Sequence, residues 1–238
     1  MAITAADVKK LRDATGAGMM DAKKALTEAE GDHEKAIELL RISGLAKAAK
    51  RTDREATNGI VAGRDGVLIQ LAAETDFVAK NAEFVGLGNQ IVDAVAASGA
   101  KEPEAAKAAP LGSTTVQEAV QSLAATIGEN LSLVNVVNYD GDTHLYLHRR
   151  ASDLPPQVGV LVEYTGGDET LVHQVAMHIA AMNPVYVSRD EVPAEVVENE
   201  RRIAEATARE EGKPEGAIPR IIEGRLGGFY KDVVLLDQ

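Results

Sequence analysis

Two carboxylates and five histidines are the side chains of this sequence with the clearest potential for chemistry. Glu74 and Asp76 stand close enough along the chain to be imagined as an acid and base pair. No second group of histidine, serine or lysine lies beside them, and the chain has no cysteine. We therefore expect no covalent catalysis, no cofactor and no bound metal. The five histidines are His33, His144, His148, His173 and His178.

The charge balance favours a protein partner over a nucleic acid. The 238 residues include 25 Lys and Arg against 37 Asp and Glu, a net charge of −12 that would repel phosphates. No phosphate loop of the GxxxxGK[ST] type is present, so we expect no direct nucleotide binding. The first residues lack a signal-peptide pattern, and no apolar run approaches the ~20 residues that span a bilayer. The sequence predicts a cytoplasmic protein without membrane segments.

A strand followed by a helix positions the two carboxylates. Residues 67–71 form an apolar, β-branched run after an Asp-Gly turn signal, and helical spacing of apolar residues begins at Asp76 and lasts to about residue 97. Phe77 therefore lies at a strand-to-helix turn. Two interpretations stay open: Phe77 packs under its own helix, which Thr75 or Asp76 caps, or it projects as an aromatic anchor for a partner.

The first 50 residues predict three short helices. A glycine-rich turn at residues 15–18 separates the first helix from a second at about 19–29, and Asp32 is placed to cap the third. Met19 and Met20 follow the turn and could fill the core or contact a partner. Residues 46–58 are basic and predict a linker, either solvated or in contact with RNA.

The remaining chain alternates strands and helices. Residues 60–62 and 67–71 predict a hairpin, and the Gly159–Tyr164 segment echoes Gly66–Leu71, which suggests two related halves. Further strands are predicted at 131–137 and 143–147 around a turn, and at 232–237. Further helices are predicted at 115–127, ending at Gly128, at 169–183, and at 196–211 and 217–223, which would form a hairpin.

Two strings identify a resemblance. Thr75-Asp76-Phe77-Val78-Ala79-Lys80-Asn81 and the segment from Thr15 to Leu26 resemble the bacterial elongation factor Ts family, and the similarity extends over essentially the whole chain. The resemblance implies an α+β fold with a three-helix, ubiquitin-associated-like bundle. A duplicated core of small antiparallel sheets packed with helices would follow, with a helical hairpin protrusion. The implied boundaries are 1–52, 53–139 and 140–238, with the hairpin at about 189–224.

The same resemblance implies the function and its residues. It suggests a guanine nucleotide exchange factor that binds elongation factor Tu·GDP and disturbs the Mg²⁺ and phosphate site there. A homodimer, or a heterotetramer with elongation factor Tu, would fit the family. Family members usually continue into a short C-terminal module, which we expect to be absent after Gln238. The implied partner-binding residues are Thr75, Asp76, Phe77 and Val78 at the magnesium site, and Arg12, Met19, Met20, Ile127, Gly128 and His148 elsewhere.

Two other classes of function remain as alternatives. A protein-binding adaptor without exchange activity would use the N-terminal helices alone. An enzyme would need a nucleophile or a metal site, and the sequence offers neither. By the resemblance, the insert at residues 151–157, which follows His148, is longer than in many family members.

Overall fold

The computed structural model describes residues 3–64 and 66–238, and the chain divides into two compact units, Met1–His173 and Gln174–Gln238. Helices and small antiparallel sheets alternate along the chain, which is an α+β arrangement. Within the described residues, no helix is both long and apolar enough to cross a membrane. The helices are α1 (Ala5–Thr15), α2 (Met19–Glu28), α3 (His33–Ala49), α4 (Asp76–Ala79), α5 (Ala82–Ser98), α6 (Pro103–Ala108), α7 (Val116–Ile127), α8 (Glu169–Met182), α9 (Ala194–Glu210) and α10 (Ile218–Val233). The strands are β1 (Asn58–Arg64), β2 (Val67–Ala73), β3 (Pro110–Leu111), β4 (Thr114–Thr115), β5 (Leu131–Asn138), β6 (Thr143–His148) and β7 (Val158–Glu163).

The three predicted N-terminal helices are present, and α1 and α3 begin at side-chain caps. Thr4 and Asp7 make a reciprocal capping box at the start of α1, and Gly16 ends that helix in the left-handed conformation with φ 67°. The carboxylate of Asp32 accepts the N–H groups of residues 34 and 35 at the start of α3. The three helices pack around a small apolar cluster that contains Val8, Leu11, Ala22, Ala25, Leu26, Ala29 and Ala36.

The predicted hairpin of β1 and β2 is confirmed, and β2 is the central strand of a three-stranded antiparallel sheet in the order β1-β2-β5. The strands predicted on either side of the turn at 138–142 are confirmed as β5 and β6, and they pair with different partners. Within the described residues, β5 pairs with β2, and β6 pairs with β7 in a separate two-stranded sheet. Burial decides this, because Leu131, Leu133 and Val136 of β5 join the main core beside β2.

Helices α5 and α7 pack with the sheet to form the main core. Phe84 of α5 is the largest fully buried side chain in this core. The single helix predicted from residue 76 is instead two helices. Asn81 starts the second one, because its side-chain oxygen accepts the N–H groups of Glu83 and Phe84. The backbone of β7 at Gly159 packs closely on a side chain of the main sheet. A Cβ on Gly159 would lie 2.7 Å from the Leu68 Cδ1 atom.

The second unit contains α9 and α10, which pack on each other through small and branched residues, Ala204, Ala208, Ile218, Ile222 and Leu226. Helix α10 does not end near residue 223, and the strand predicted at 232–237 is wrong. The helix runs through its glycines to Val233, since its apolar side chains bury against α9. Val234 then makes one isolated parallel bridge with Tyr186, and residues 235–237 form a 3-10 turn.

Candidate partner-binding site

Phe77 projects from the turn between β2 and α4. Its side chain is 81% exposed, whereas the next two residues, Val78 and Ala79, are buried in the main core. Thr75 caps the helix, and its hydroxyl accepts the Val78 N–H at 3.4 Å. The interpretation in which Phe77 packs under its own helix is therefore wrong, and Val78 fills that place instead. An aromatic ring on a short capped helix presents its apolar surface to solvent.

The turn is held by a second turn that follows α7. The Glu129 carboxylate accepts the Thr75 N–H at 3.0 Å and the Thr75 hydroxyl at 2.7 Å. In the opposite direction, the Glu74 carboxylate accepts the Asn130 N–H at 2.6 Å. We call these four residues, Glu74, Thr75, Glu129 and Asn130, the turn clasp. It joins two segments that lie more than 50 residues apart in the chain, with a separation of 54 for Thr75 and Glu129.

Glu74 has a structural role at the turn. One of its carboxylate oxygens accepts from Asn130, and the other lies 3.4 Å from the Arg54 guanidinium. Its carbonyl oxygen accepts the Asn58 side-chain amide at 2.9 Å. The acceptors of Glu74 are thus used within the fold.

The histidines have separate partners. His144 Nε2 lies 3.0 Å from His173 Nδ1, and His178 contacts the Gln238 side chain at 3.0 Å. His173 and His178 therefore do not share a site. Across residues 3–64 and 66–238, no group of three or more His, Cys, Asp or Glu side chains could hold a metal ion.

The end of α7 lies against the turn between α1 and α2. Gly128 ends the helix with φ 86°, and its N–H donates to the Ala124 carbonyl at 2.9 Å. A Cβ on Gly16 would lie only 2.7 Å from the Thr126 Cγ2 atom, so the two segments are in close contact. Ile127 and Gly128 also line a cavity of about 230 Å³ together with Gly18 and Asp21 at the start of α2.

Both methionines of this turn are on the surface. Met19 is 48% exposed and Met20 is 77% exposed, so the interpretation of either as core filler is wrong. Arg12 is also exposed, and its guanidinium lies 3.1 Å from the carboxylate of its neighbour Asp13. A thioether is flexible and polarisable, which suits an exposed methionine to a protein contact.

His148 ends β6 with its side chain exposed and its Nδ1 atom 3.1 Å from the Tyr146 hydroxyl. The insert that follows, residues 151–157, reaches the Phe77 helix, because Asp153 forms a 2.7 Å ion pair with Lys80 at the end of α4. This hydrogen bond raises the pKa of Lys80 and lowers the pKa of Asp153. The pair links the His148 loop to the element that carries Phe77.

Comparison with known proteins identifies the family. The sequence model described as Elongation factor TS matches residues 74–238. The protein named Elongation factor Ts from Cutibacterium acnes is 61% identical over 239 residues, which cover 100% of this chain and 88% of that protein. The chain belongs to the elongation factor Ts family. Proteins of the same name from Mycolicibacterium vanbaalenii and Saccharopolyspora erythraea are 60% and 59% identical, each over 99% of this chain and 87% of its own length.

The structure brings together most positions that the resemblance to the elongation factor Ts family singled out. Direct contacts connect the glycine turn before Met19 to the end of α7, the end of α7 to the Phe77 turn, and the Phe77 helix to the loop after His148. The clustering of these positions on one unit allows a single partner surface to contact several of them.

Sequence reasoning missed the contacts that hold these positions. The basic segment is not a plain solvated linker, because Lys47 pairs with Asp21 at 3.0 Å and Arg54 pairs with Glu74 at 3.4 Å. Glu129 was not singled out either. No local pattern marks a carboxylate that follows a helix-ending glycine as the partner of a threonine on another turn.

Proposed function

We propose that this member of the elongation factor Ts family is a guanine nucleotide exchange factor for elongation factor Tu. It binds the GDP form of that GTPase and accelerates GDP release, so that GTP can reload the site. The observation that carries the proposal is the 81% exposure of Phe77 at a turn clamped by four hydrogen-bonding residues. Exposing a large aromatic ring on a fixed support is costly in water and favourable against a pocket.

Asp76 and Phe77 have complementary roles in the proposed mechanism. The Phe77 ring enters the partner near its magnesium site, and the Asp76 carboxylate accompanies it with a negative charge. Together they displace groups that hold Mg²⁺ and disturb the loop that binds the phosphates. Thr75 caps the helix that carries the ring, and Val78 anchors that helix in the core.

Exchange then follows from a coupling free energy. If the factor binds nucleotide-free elongation factor Tu more tightly than the GDP form, GDP binding must lower the affinity of the GTPase for the factor by the same ratio. No covalent step is required of this chain. The remaining contacts serve affinity, and we assign them to Arg12, Met19, Met20, Ile127, Gly128 and His148.

The domain organisation that the family implies belongs to this proposal. We assign residues 1–52 to a ubiquitin-associated-like bundle that contacts the GTP-binding domain, and 53–139 to the core half that carries Phe77. Residues 140–238 form the second half, with α9 and α10 as the helical hairpin. The packing of α7 on α3, and its close contact with Gly16 after α1, support a common contact surface for the first two parts.

The test is the release rate of a fluorescent GDP analogue from elongation factor Tu. The full chain is added at a small fraction of the partner's concentration, with excess unlabelled GDP as the competitor. We expect multiple-turnover acceleration, in which each molecule of the factor releases the GDP analogue from many molecules of the GTPase. Complex formation without acceleration would contradict exchange and indicate an adaptor, for which the exposed Met19 and Met20 provide a surface.

A further inference from the structure

Glu129 is the residue through which the end of α7 holds the Phe77 turn. Its carboxylate accepts both donors of Thr75, at 3.0 and 2.7 Å, while Glu74 accepts the Asn130 N–H at 2.6 Å. We propose that Glu129 is a positioning residue for nucleotide exchange, which sets the direction in which Phe77 leaves the surface. The inference rests on the exchange function proposed above and adds a residue outside the Thr75–Val78 string.

The Phe77 helix needs support from outside its own sequence. Helix α4 has only four residues, too few for a helix to be stable alone in water. Its cap is weak, because the distance from the Thr75 hydroxyl to the Val78 nitrogen is 3.4 Å, at the long end for a hydrogen bond. Burial of Val78 and Ala79 anchors the end of the helix, but its start depends on the contacts of Thr75.

Glu129 supplies that support with charge-assisted hydrogen bonds. An ionised carboxylate that accepts from both an N–H and a hydroxyl is a stronger acceptor than a neutral oxygen. The backbone N–H and the side-chain hydroxyl of Thr75 are thereby both held by the Glu129 carboxylate, which restrains rotation of the turn. Without Glu129, the start of α4 would fray and Phe77 would sample several directions, which lowers the population that fits a partner.

The same residue links two of the assigned partner contacts. Glu129 follows Gly128 directly, so the turn clasp fixes the separation between Phe77 and the end of α7. A partner that contacts Phe77 and Ile127 together then binds a surface that is already ordered. Binding such a surface avoids the entropy cost of arranging the two segments.

Glu118 provides a matched control at the other end of α7. Its carboxylate accepts the Thr115 N–H at 3.0 Å and the Thr114 hydroxyl, the same pair of donor types that Glu129 accepts. Loss of either carboxylate removes a similar set of hydrogen bonds from the fold. Only the loss of Glu129 changes the support of Phe77.

The experiment compares Glu129→Gln and Glu118→Gln in the full chain. Glutamine keeps the size of the side chain but removes its charge and one acceptor oxygen. We expect exchange to slow about tenfold for Glu129→Gln, which corresponds to about 1.4 kcal/mol, and to stay within about twofold of the parent for Glu118→Gln. Equal exchange rates for the two variants would overturn the proposal.

A double-mutant cycle separates positioning from general stability. If Glu129 acts through Phe77, Glu129→Gln should slow exchange little further once Phe77→Ala is present. A purely structural role predicts that the two losses multiply. That result would overturn the proposal even if Glu129→Gln alone slows exchange.

Amide hydrogen exchange of the isolated protein gives a readout that needs no partner. We expect the amides of residues 76–80 to exchange faster in Glu129→Gln than in the parent, and at the parent rate in Glu118→Gln. Unchanged protection in Glu129→Gln would overturn the positioning role. If protection falls as expected but the parent does not accelerate GDP release, the clasp stands and the exchange function is what fails.

Discussion

Replacing Phe77 with alanine should slow nucleotide exchange and leave the fold intact. Burial of a phenylalanine side chain contributes roughly 1.5–3 kcal/mol. Because Phe77 is 81% exposed, about four fifths of this free energy remains available for a partner. The loss on Phe77→Ala is then roughly 1.2–2.4 kcal/mol, or about 8- to 60-fold in the exchange rate at limiting concentration of the factor.

The unfolding free energy should respond quite differently. An exposed side chain outside special features changes stability by about 0.5 kcal/mol or less when it is truncated. The Thr75 cap and the buried Val78 stay in place in the variant, so α4 keeps its support. Urea unfolding of Phe77→Ala should therefore superimpose on that of the parent.

The assay is the release of fluorescent GDP from elongation factor Tu over a range of factor concentrations. Tyr139→Ala is the control, since Tyr139 is also an exposed aromatic at a turn but lies outside the Phe77 turn. We expect the control to match the parent. A folded Phe77→Ala protein that exchanges nucleotide within about twofold of the parent would refute the reasoning, because the exposed ring would then supply little of the coupling.

Two further predictions concern the supports of the site. Gly16→Ala should lower the urea midpoint more than Gly99→Ala, because both glycines have φ 67° but only a Cβ on Gly16 would meet another residue, Thr126, at 2.7 Å; equal midpoints would contradict close packing there. The Asp153 carboxyl should titrate by NMR below its ordinary pKa of 3.8, and Lys80→Gln should move it back up. Folding lowers the Asp153 pKa and raises the Lys80 pKa, so the pair stabilises the fold at pH values between the two ordinary pKa values. This stabilisation is lost at lower pH as Asp153 takes up a proton and at higher pH as Lys80 loses one.

Local signals predicted where several helices of the first unit begin or end. Caps such as Thr4 with Asp7 and the left-handed glycines at 16 and 128 act within one turn of the chain, so the sequence displays them directly. The exposure of Phe77 could not be decided in this way. Both Phe77 and Val78 are apolar, and only the packed core determines which of them faces inward.

Long-range choices could not be predicted in this way. A turn signal at residues 138–142 does not show which strand each neighbour will pair with. The glycines of α10 are each unfavourable in a helix by about 1 kcal/mol, and burial of Ile222 and Leu226 outweighs that cost. The turn clasp depends on folding of both segments, which no window of sequence contains.

The central position of β2 has a mechanical consequence for exchange. This strand is hydrogen-bonded to a neighbour along each edge, and it leads directly into the residue that starts the Phe77 helix. A force that pushes the ring backwards is therefore borne by two rows of backbone hydrogen bonds, which must break together before the strand can slide. In the exchange mechanism proposed above, this support would keep Phe77 in place while its ring is pressed against the partner.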